Sequence, residues 1–305
     1  MHPGQSGNGG RYPVFHHWFD HFAGLGSSTR TLEVIRRSPL EPSRPWPLLF
    51  VHGAYTAAWC WDEHFLPYFA ALGYDAQALS LRGHGGSDGK GSLHLHGIGD
   101  YVEDVESVVD GFDVPPVVIG HSMGGLITQK LMERHALSAA VLLASVPPSG
   151  LSGSAMRLSV AKPFLFSRMS LMQTTGPAAM DIDTARRVVF SETADDALVR
   201  RHAQRMQQES QRALMDMTLF GLPFPSRARR VPTLVLSAGD DVLFSREEGE
   251  ETARAYGADF QVVPGIAHAM MLEPEWERAA AMLAAWLQQL EAGGVRAEAG
   301  TGSGD

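Results

Sequence analysis

The segment Gly120-His121-Ser122-Met123-Gly124-Gly125 has the residue types and spacing of a nucleophile. It follows the apolar run Val117-Val118-Ile119 and opens a helical pattern, so Ser122 falls on a sharp strand-to-helix turn. Glycines two before and two after let neighbouring backbone approach, and the turn lifts the hydroxyl clear of the strand ends. The helix that begins there brings backbone N–H groups and the positive end of its dipole beside the reacting centre. A serine hydroxyl is unreactive at its own pKa and needs a base; the base needs an acid to fix its tautomer. Two later apolar runs end in such groups. The run 233–236 leads into Ser237-Ala238-Gly239-Asp240-Asp241, and the run 260–263 into Pro264-Gly265-Ile266-Ala267-His268. His268 is read as the base and Asp241 as its acid, with the adjacent Asp240 as rival. A developing oxyanion also needs donors, each worth about 2.7–4 kcal/mol. Met123 N–H, directly after the serine, is one. The other comes from His52-Gly53-Ala54-Tyr55: the Ala54 N–H, with Tyr55 as a substitute and His52 as a brace for the loop.

These groups need a frame, and the chain supplies one. The short apolar runs 48–51, 76–81, 117–119, 139–143, 233–236 and 260–263 are β-prone and uninterrupted, which indicates strands buried on both faces of a parallel sheet. Helical patterns connect them. From Asp100, residues Tyr101, Val105, Val108 and Phe112 share a face, with Asp100 and Glu103 resembling a capping box. Further helices are predicted over 122–135 and 276–290. The runs 14–22 and 29–37 alternate with polar residues, as in an antiparallel edge hairpin. Strand and helix in this alternation predict an α/β, doubly wound, mostly parallel sheet.

The alternation breaks between 151 and 227, which holds no clear strand. Seven of the 13 methionines lie there, with Phe164, Phe166, Phe190 and Phe220. An insertion of that length exceeds an ordinary loop and predicts a helical cap or lid after the sixth strand. Its methionines suit either a lipophilic pocket or the cap's own core. The predicted organisation is a tail over 1–10, a core over 11–150 and 228–290, the cap over 151–227, and a tail over 291–305. Both tails are glycine-rich and poor in large apolar side chains.

Composition narrows the function. The 305 residues are 44% hydrophobic and 19% charged, with material for a sizeable core. The net charge of −9 argues against a nucleic-acid or anionic-membrane partner held by a basic surface. One cysteine, Cys60, precludes an internal disulfide, and its place between Trp59 and Trp61 reads as packing. The first ten residues lack the apolar segment of a secretory signal, and no stretch is long and apolar enough to span a bilayer. A cytoplasmic location is expected. His16, His17, His21 and the His94-Leu95-His96 pair lack companions at ligand spacing, so no metal site is predicted. The basic clusters at 200–201 and 227–230 read as solvated faces or ion pairs, and the acidic run 247–251 as a solvated helix face.

Across residues 14–290 the chain resembles the α/β-hydrolase family. The resemblance rests on His52-Gly53-Ala54, on Leu81-Arg82-Gly83-His84-Gly85-Gly86-Ser87, on the serine motif, on the acid-bearing stretch 236–244 and on Gly265-Ile266-Ala267-His268. It implies a cap over the strand ends that shapes the pockets. Many relatives carry glycine three residues before the acid. Ala238 stands there if Asp241 is the acid, which keeps Asp240 in play, while Asp241-Val242-Leu243-Phe244 matches the usual spacing and favours Asp241. Ser122 departs from the aspartate nucleophile of haloalkane dehalogenase-like and epoxide hydrolase-like members. Ala269 stands where hydroxynitrile lyase-like members carry lysine, and His121 where carbon–carbon hydrolase-like members often carry asparagine.

What remains resembles a carboxylesterase or lysophospholipase: a serine hydrolase acting through an acyl-enzyme on small to medium, fairly apolar esters, with no cofactor and a small-molecule ester as its partner. The alternatives are a cofactor-free lyase or acyl transferase with the same triad, and a ligand-binding receptor on a hydrolase scaffold.

Overall fold

The protein is described by a computed structural model covering residues 11–12, 30–39, 44–176 and 181–293. Its eight strands are β1 (Arg11–Tyr12), β2 (Leu32–Arg37), β3 (Leu48–Val51), β4 (Ala76–Leu79), β5 (Val117–His121), β6 (Ala139–Leu143), β7 (Thr233–Ala238) and β8 (Asp259–Val263). They form one sheet in the order β1-β2-β4-β3-β5-β6-β7-β8. β2 runs antiparallel to β1 and β4, and every pair from β4 to β8 is parallel. The strand predicted for 29–37 is β2, which lies between β1 and β4 and is antiparallel to both; the run 14–22 lies outside the described residues.

The continuous apolar strands β3, β5, β6 and β7 are buried on both faces because helices cover both. β8, expected to be buried likewise, is the last strand of the sheet and buries only Val263 fully. In β3, Leu48 and Phe50 enter one core layer while Leu49 and Val51 enter the other; in β5, Val117 and Ile119 oppose Val118 in the same way. Period-two alternation distributes one apolar run to two cores. The first layer takes α1 (Trp59–Asp62), α2 (Phe65–Ala71) and α11 (Trp276–Ala292), and packs Phe50 5.0 Å from Trp61 and 5.7 Å from Phe69. The second takes α3 (Ile98–Val109) and α4 (Met123–Leu131).

The start of α3 differs from the predicted capping box. The helix begins at Ile98, and Asp100 is its third residue, reaching back 2.8 Å to the Gly97 N–H. Glu103 instead joins Asp100 and the buried Asp104 around the Arg82 guanidinium. An arginine taken out of water gathers carboxylates more strongly than a helix end does.

Between β6 and β7 the chain is helical: α5 (Ser152–Ala161), α6 (Pro163–Thr175), α7 (Ile182–Val189), α8 (Asp196–Ala203) and α9 (Gln211–Met215), followed by a π turn over Asp216–Phe220. α10 (Arg246–Tyr256) then connects β7 to β8. Buried carboxylates tie the insertion down. Glu209 accepts from the Tyr101 hydroxyl and the Ser210 N–H, and lies 3.0 Å from the His84 ring. Asp216 receives the Ile98 N–H at 3.0 Å. Glu248, in the acidic run read as solvated, binds Ser154 and Arg157 of α5, so that run is partly a docking point.

Among the described residues, no helix is long and apolar enough to cross a membrane.

Candidate active site

Strand register gathers the site. Val51 pairs with Gly120, Gly120 with Leu142, Leu143 with Leu236, and Ala238 with Val263. The C-terminal ends of β3, β5, β6, β7 and β8 thus lie in a row, and the loops leaving them meet along one edge.

At the end of β5, Ser122 has φ 53° and ψ −114°, a strained backbone for a residue with a side chain. It is held there by its own N–H on the Leu143 carbonyl at 3.1 Å and by the Val146 N–H on its carbonyl at 3.1 Å. The turn requires flanking glycines. A Cβ on Gly120 would lie 2.2 Å from the Gly124 carbonyl oxygen, and one on Gly124 would lie 2.3 Å from the Val51 carbonyl oxygen.

His268 Nδ1 stands 2.8 Å from Asp241 Oδ2, and both side chains are almost wholly buried, at 7% and 1% exposure. A carboxylate can only accept, so Nδ1 carries the proton and Nε2 keeps its lone pair. The other Asp241 oxygen receives the Leu243 and Phe244 N–H groups at 2.7 and 3.2 Å, which fixes the carboxylate. Asp240 is exposed, and its backbone N–H is held by the Ile266 carbonyl. Of the two adjacent aspartates, only Asp241 meets the histidine.

The two donor candidates separate in the same way. Tyr55 spends its N–H on Glu209 at 3.3 Å. Among the described residues the Ala54 and Met123 N–H groups have no acceptor, Met123 being the first residue of α4, where helix N–H groups are orphaned.

Ser122, His268 and Ala54 line one cavity of about 370 Å³, within the range of small-molecule sites. Four insertion methionines, Met169, Met172, Met206 and Met217, help line it. Met156 and Met215 are exposed, and Met180 lies outside the described residues. Cys60 is buried against this space, and burial pushes its thiol up to about 12, so it is an inert lining group.

Three supporting roles were not read from the sequence. His121 donates from Nε2 to the His268 carbonyl at 2.9 Å; burial, then the neighbouring His268, holds its pKa well below the ordinary value, so it stays neutral. Glu273, 1% exposed, accepts from the Ala267 N–H at 3.1 Å and from the Ser191 N–H and hydroxyl at 2.6 and 2.7 Å. It clamps the His268 loop to the end of α7, and burial raises its pKa. Glu209 holds the Tyr55 loop. A carboxylate directly after the apolar run Ala269-Met270-Met271-Leu272 is a legible sign of a buried anchor; Glu209, inside a polar run, offers no such sign. His52 joins two loops: Nε2 accepts the Leu81 N–H at 3.1 Å and Nδ1 donates to the Gly53 carbonyl at 2.8 Å.

A doubly wound sheet with a serine turn at the end of its central strand defines a hydrolase class, and the chain belongs to the alpha/beta hydrolase family, whose model matches residues 48–281. It is similar to a monoacylglycerol lipase of Mycolicibacterium smegmatis, 27% identical over 74% of this chain and 82% of that protein. It is similar also to the phospholipase YtpA of Bacillus subtilis, 25% identical over 75% and 90%. Among solved structures, a thermophilic esterase from Thermogutta terrifontis superposes with a TM-score of 0.66 at 17% identity, covering 87% of this chain and 96% of that one. An enol-lactonase from Burkholderia xenovorans gives 0.65 at 18% identity, covering 86% and 98%.

Proposed function

We propose that the protein is a serine hydrolase of carboxylic esters. The observation that carries the reading is the His268–Asp241 pair, 2.8 Å apart, in the cavity that Ser122 also lines. His268 Nε2 takes the Ser122 hydroxyl proton as Oγ attacks the ester carbonyl. The Ala54 and Met123 N–H groups receive the developing oxyanion, and Asp241 stabilises the imidazolium. The proton passes from His268 to the leaving alcohol, giving an acyl-enzyme. Water, deprotonated by the same histidine, then releases the acid and restores the serine. Residues 151–227 act as a cap on the core formed by 11–150 and 228–290, and its methionines adapt to the apolar part of a small to medium ester. The relatives' names, lipase, phospholipase and esterase, agree on ester substrates.

A fluorophosphonate probe tests the nucleophile. The expected result is one label per chain on the Ser122 peptide, and no label on Ser122→Ala. Labelling elsewhere, or none on folded protein, would overturn the assignment.

A further inference from the structure

Two consecutive peptide units hold the Asp241 carboxylate. The N–H between Val242 and Leu243 and the N–H between Leu243 and Phe244 both donate to Asp241 Oδ1, at 2.7 and 3.2 Å, which leaves Oδ2 for His268. In a trans peptide the carbonyl points opposite to the N–H, so the same two units turn the Val242 and Leu243 oxygens away from Asp241. Both oxygens meet one side chain. Arg157 of α5, half-buried, donates from Nη1 to the Val242 carbonyl at 3.3 Å and from Nη2 to the Leu243 carbonyl at 2.6 Å. Its Nη2 also lies 3.2 Å from Glu248 in the first turn of α10. Anchoring of α5 does not require this fork, because the Ser154 hydroxyl already bonds Glu248 at 2.5 Å.

A planar guanidinium can span two acceptors at once, which an ammonium cannot do in one fixed geometry. A charged donor bonds a carbonyl more strongly than a neutral one, and polarises the N–H at the other end of the same peptide. A cation on the insertion therefore acts, through two peptide units, on the carboxylate that faces His268. We infer that Arg157 is a positioning residue for the triad acid: it fixes the Val242–Phe244 backbone so that Asp241 keeps one oxygen on His268 Nδ1. The inference rests on the ester-hydrolase reading, in which His268 is the base. Arg157 does not line the cavity, whereas Ser154, Ala155 and Leu158 of the same helix do. The helix that meets the apolar part of an ester is thereby the helix that steadies the acid.

The test is a kinetic cycle of Arg157→Met and Asp241→Asn on one p-nitrophenyl ester, with melting curves to show that each variant is folded. Arg157→Met alone should lower kcat about 10- to 100-fold and leave KM unchanged, since the side chain is absent from the cavity wall. In Asp241→Asn protein the same change should alter kcat by less than about twofold, because the carboxylate it acts on is gone. A residue that merely fastened α5 would give the opposite pattern. KM would rise, because α5 walls the cavity, and the loss would be equal in both backgrounds. Either of those results, or an unchanged kcat, would overturn the inference. A second measurement needs no turnover. The downfield proton resonance of His268 Nδ1–H, identified by its loss in His268→Gln, should move or broaden in Arg157→Met; an identical signal would overturn the inference as well. Wild-type protein that hydrolyses no ester would remove the ester-hydrolase reading, and the resonance would then decide the role of Arg157 by itself.

Discussion

Asp241 turns its carboxylate onto His268 with 1% of the side chain exposed, whereas Asp240 next to it faces solvent. Asp241→Asn is expected to lower kcat by about 10³- to 10⁴-fold, because an amide facing Nδ1 favours the wrong imidazole tautomer. Asp240→Asn should stay within about twofold; steady-state rates on one ester compare them directly, and reversed losses would exchange the roles. His202 makes the stability of the fold depend on pH. It is buried, stacked with Trp59 and Phe190, and neither ring nitrogen has a partner among the described residues. Burial, then the nearby Arg201, lowers its pKa from 6.5 to about 4. As pH falls below 6.5 the unfolded chain takes up a proton that the folded ring refuses until about 4, so stability is lost across that interval. His202→Phe should therefore melt about 3 °C or more above wild type at pH 5 and close to it at pH 8. An equal shift at both values would show that packing, and not the proton, sets the difference.

At the scale of elements, the strands and the main helices were legible because a continuous apolar run between helical patterns has few other homes. The serine turn and the placing of Asp241 beside His268 were legible too, since each follows such a run. Contacts between distant segments were not. Asp100 was read as a helix start because local spacing allowed it, while the buried Arg82 that engages Asp100 and Glu103 is 18 and 21 residues away. Glu209 lies 125 residues from His84, and no local pattern encodes that pair. Burial lowers the His84 pKa, but the charge and hydrogen bond of Glu209 outweigh it and leave it raised; Glu209 is raised by burial and brought below its ordinary value chiefly by His84. The histidine's contribution is complete below 6.5 and lost as pH rises through its raised value. The glutamate's is complete above 4.5 and lost as pH falls through its lowered value, so the pair stabilises fully between those limits. Glu209→Gln leaves His84 without its counter-charge and should cost about 3 kcal/mol near pH 6 in urea unfolding, with a flatter decline toward alkaline pH. A loss below about 0.5 kcal/mol would mean the pair does not anchor the insertion.

For the molecule as a whole, the sheet and the insertion divide the work. The sheet sets Ser122, Asp241 and His268 at the ends of three strands, and Glu209, Glu248 and Glu273 fasten the insertion to the loops around them. The cavity is lined largely by apolar side chains, four methionines of the insertion among them, and methionine packs adaptably, so acyl length should matter more than acyl identity. The arrangement of the candidate site was legible from sequence down to the choice between two aspartates and two donors, because chemistry restricts residue type at each position. The cavity's size was not, because it depends on how far the insertion packs down. Initial rates on p-nitrophenyl esters of increasing acyl length, for wild type and Ser122→Ala side by side, decide whether Ser122 carries ester hydrolysis. Turnover with an optimum at intermediate length, falling at least about 10³-fold in the variant, is the expected result; near-wild-type rates from Ser122→Ala, or folded wild-type protein that cleaves none of the esters, would contradict it.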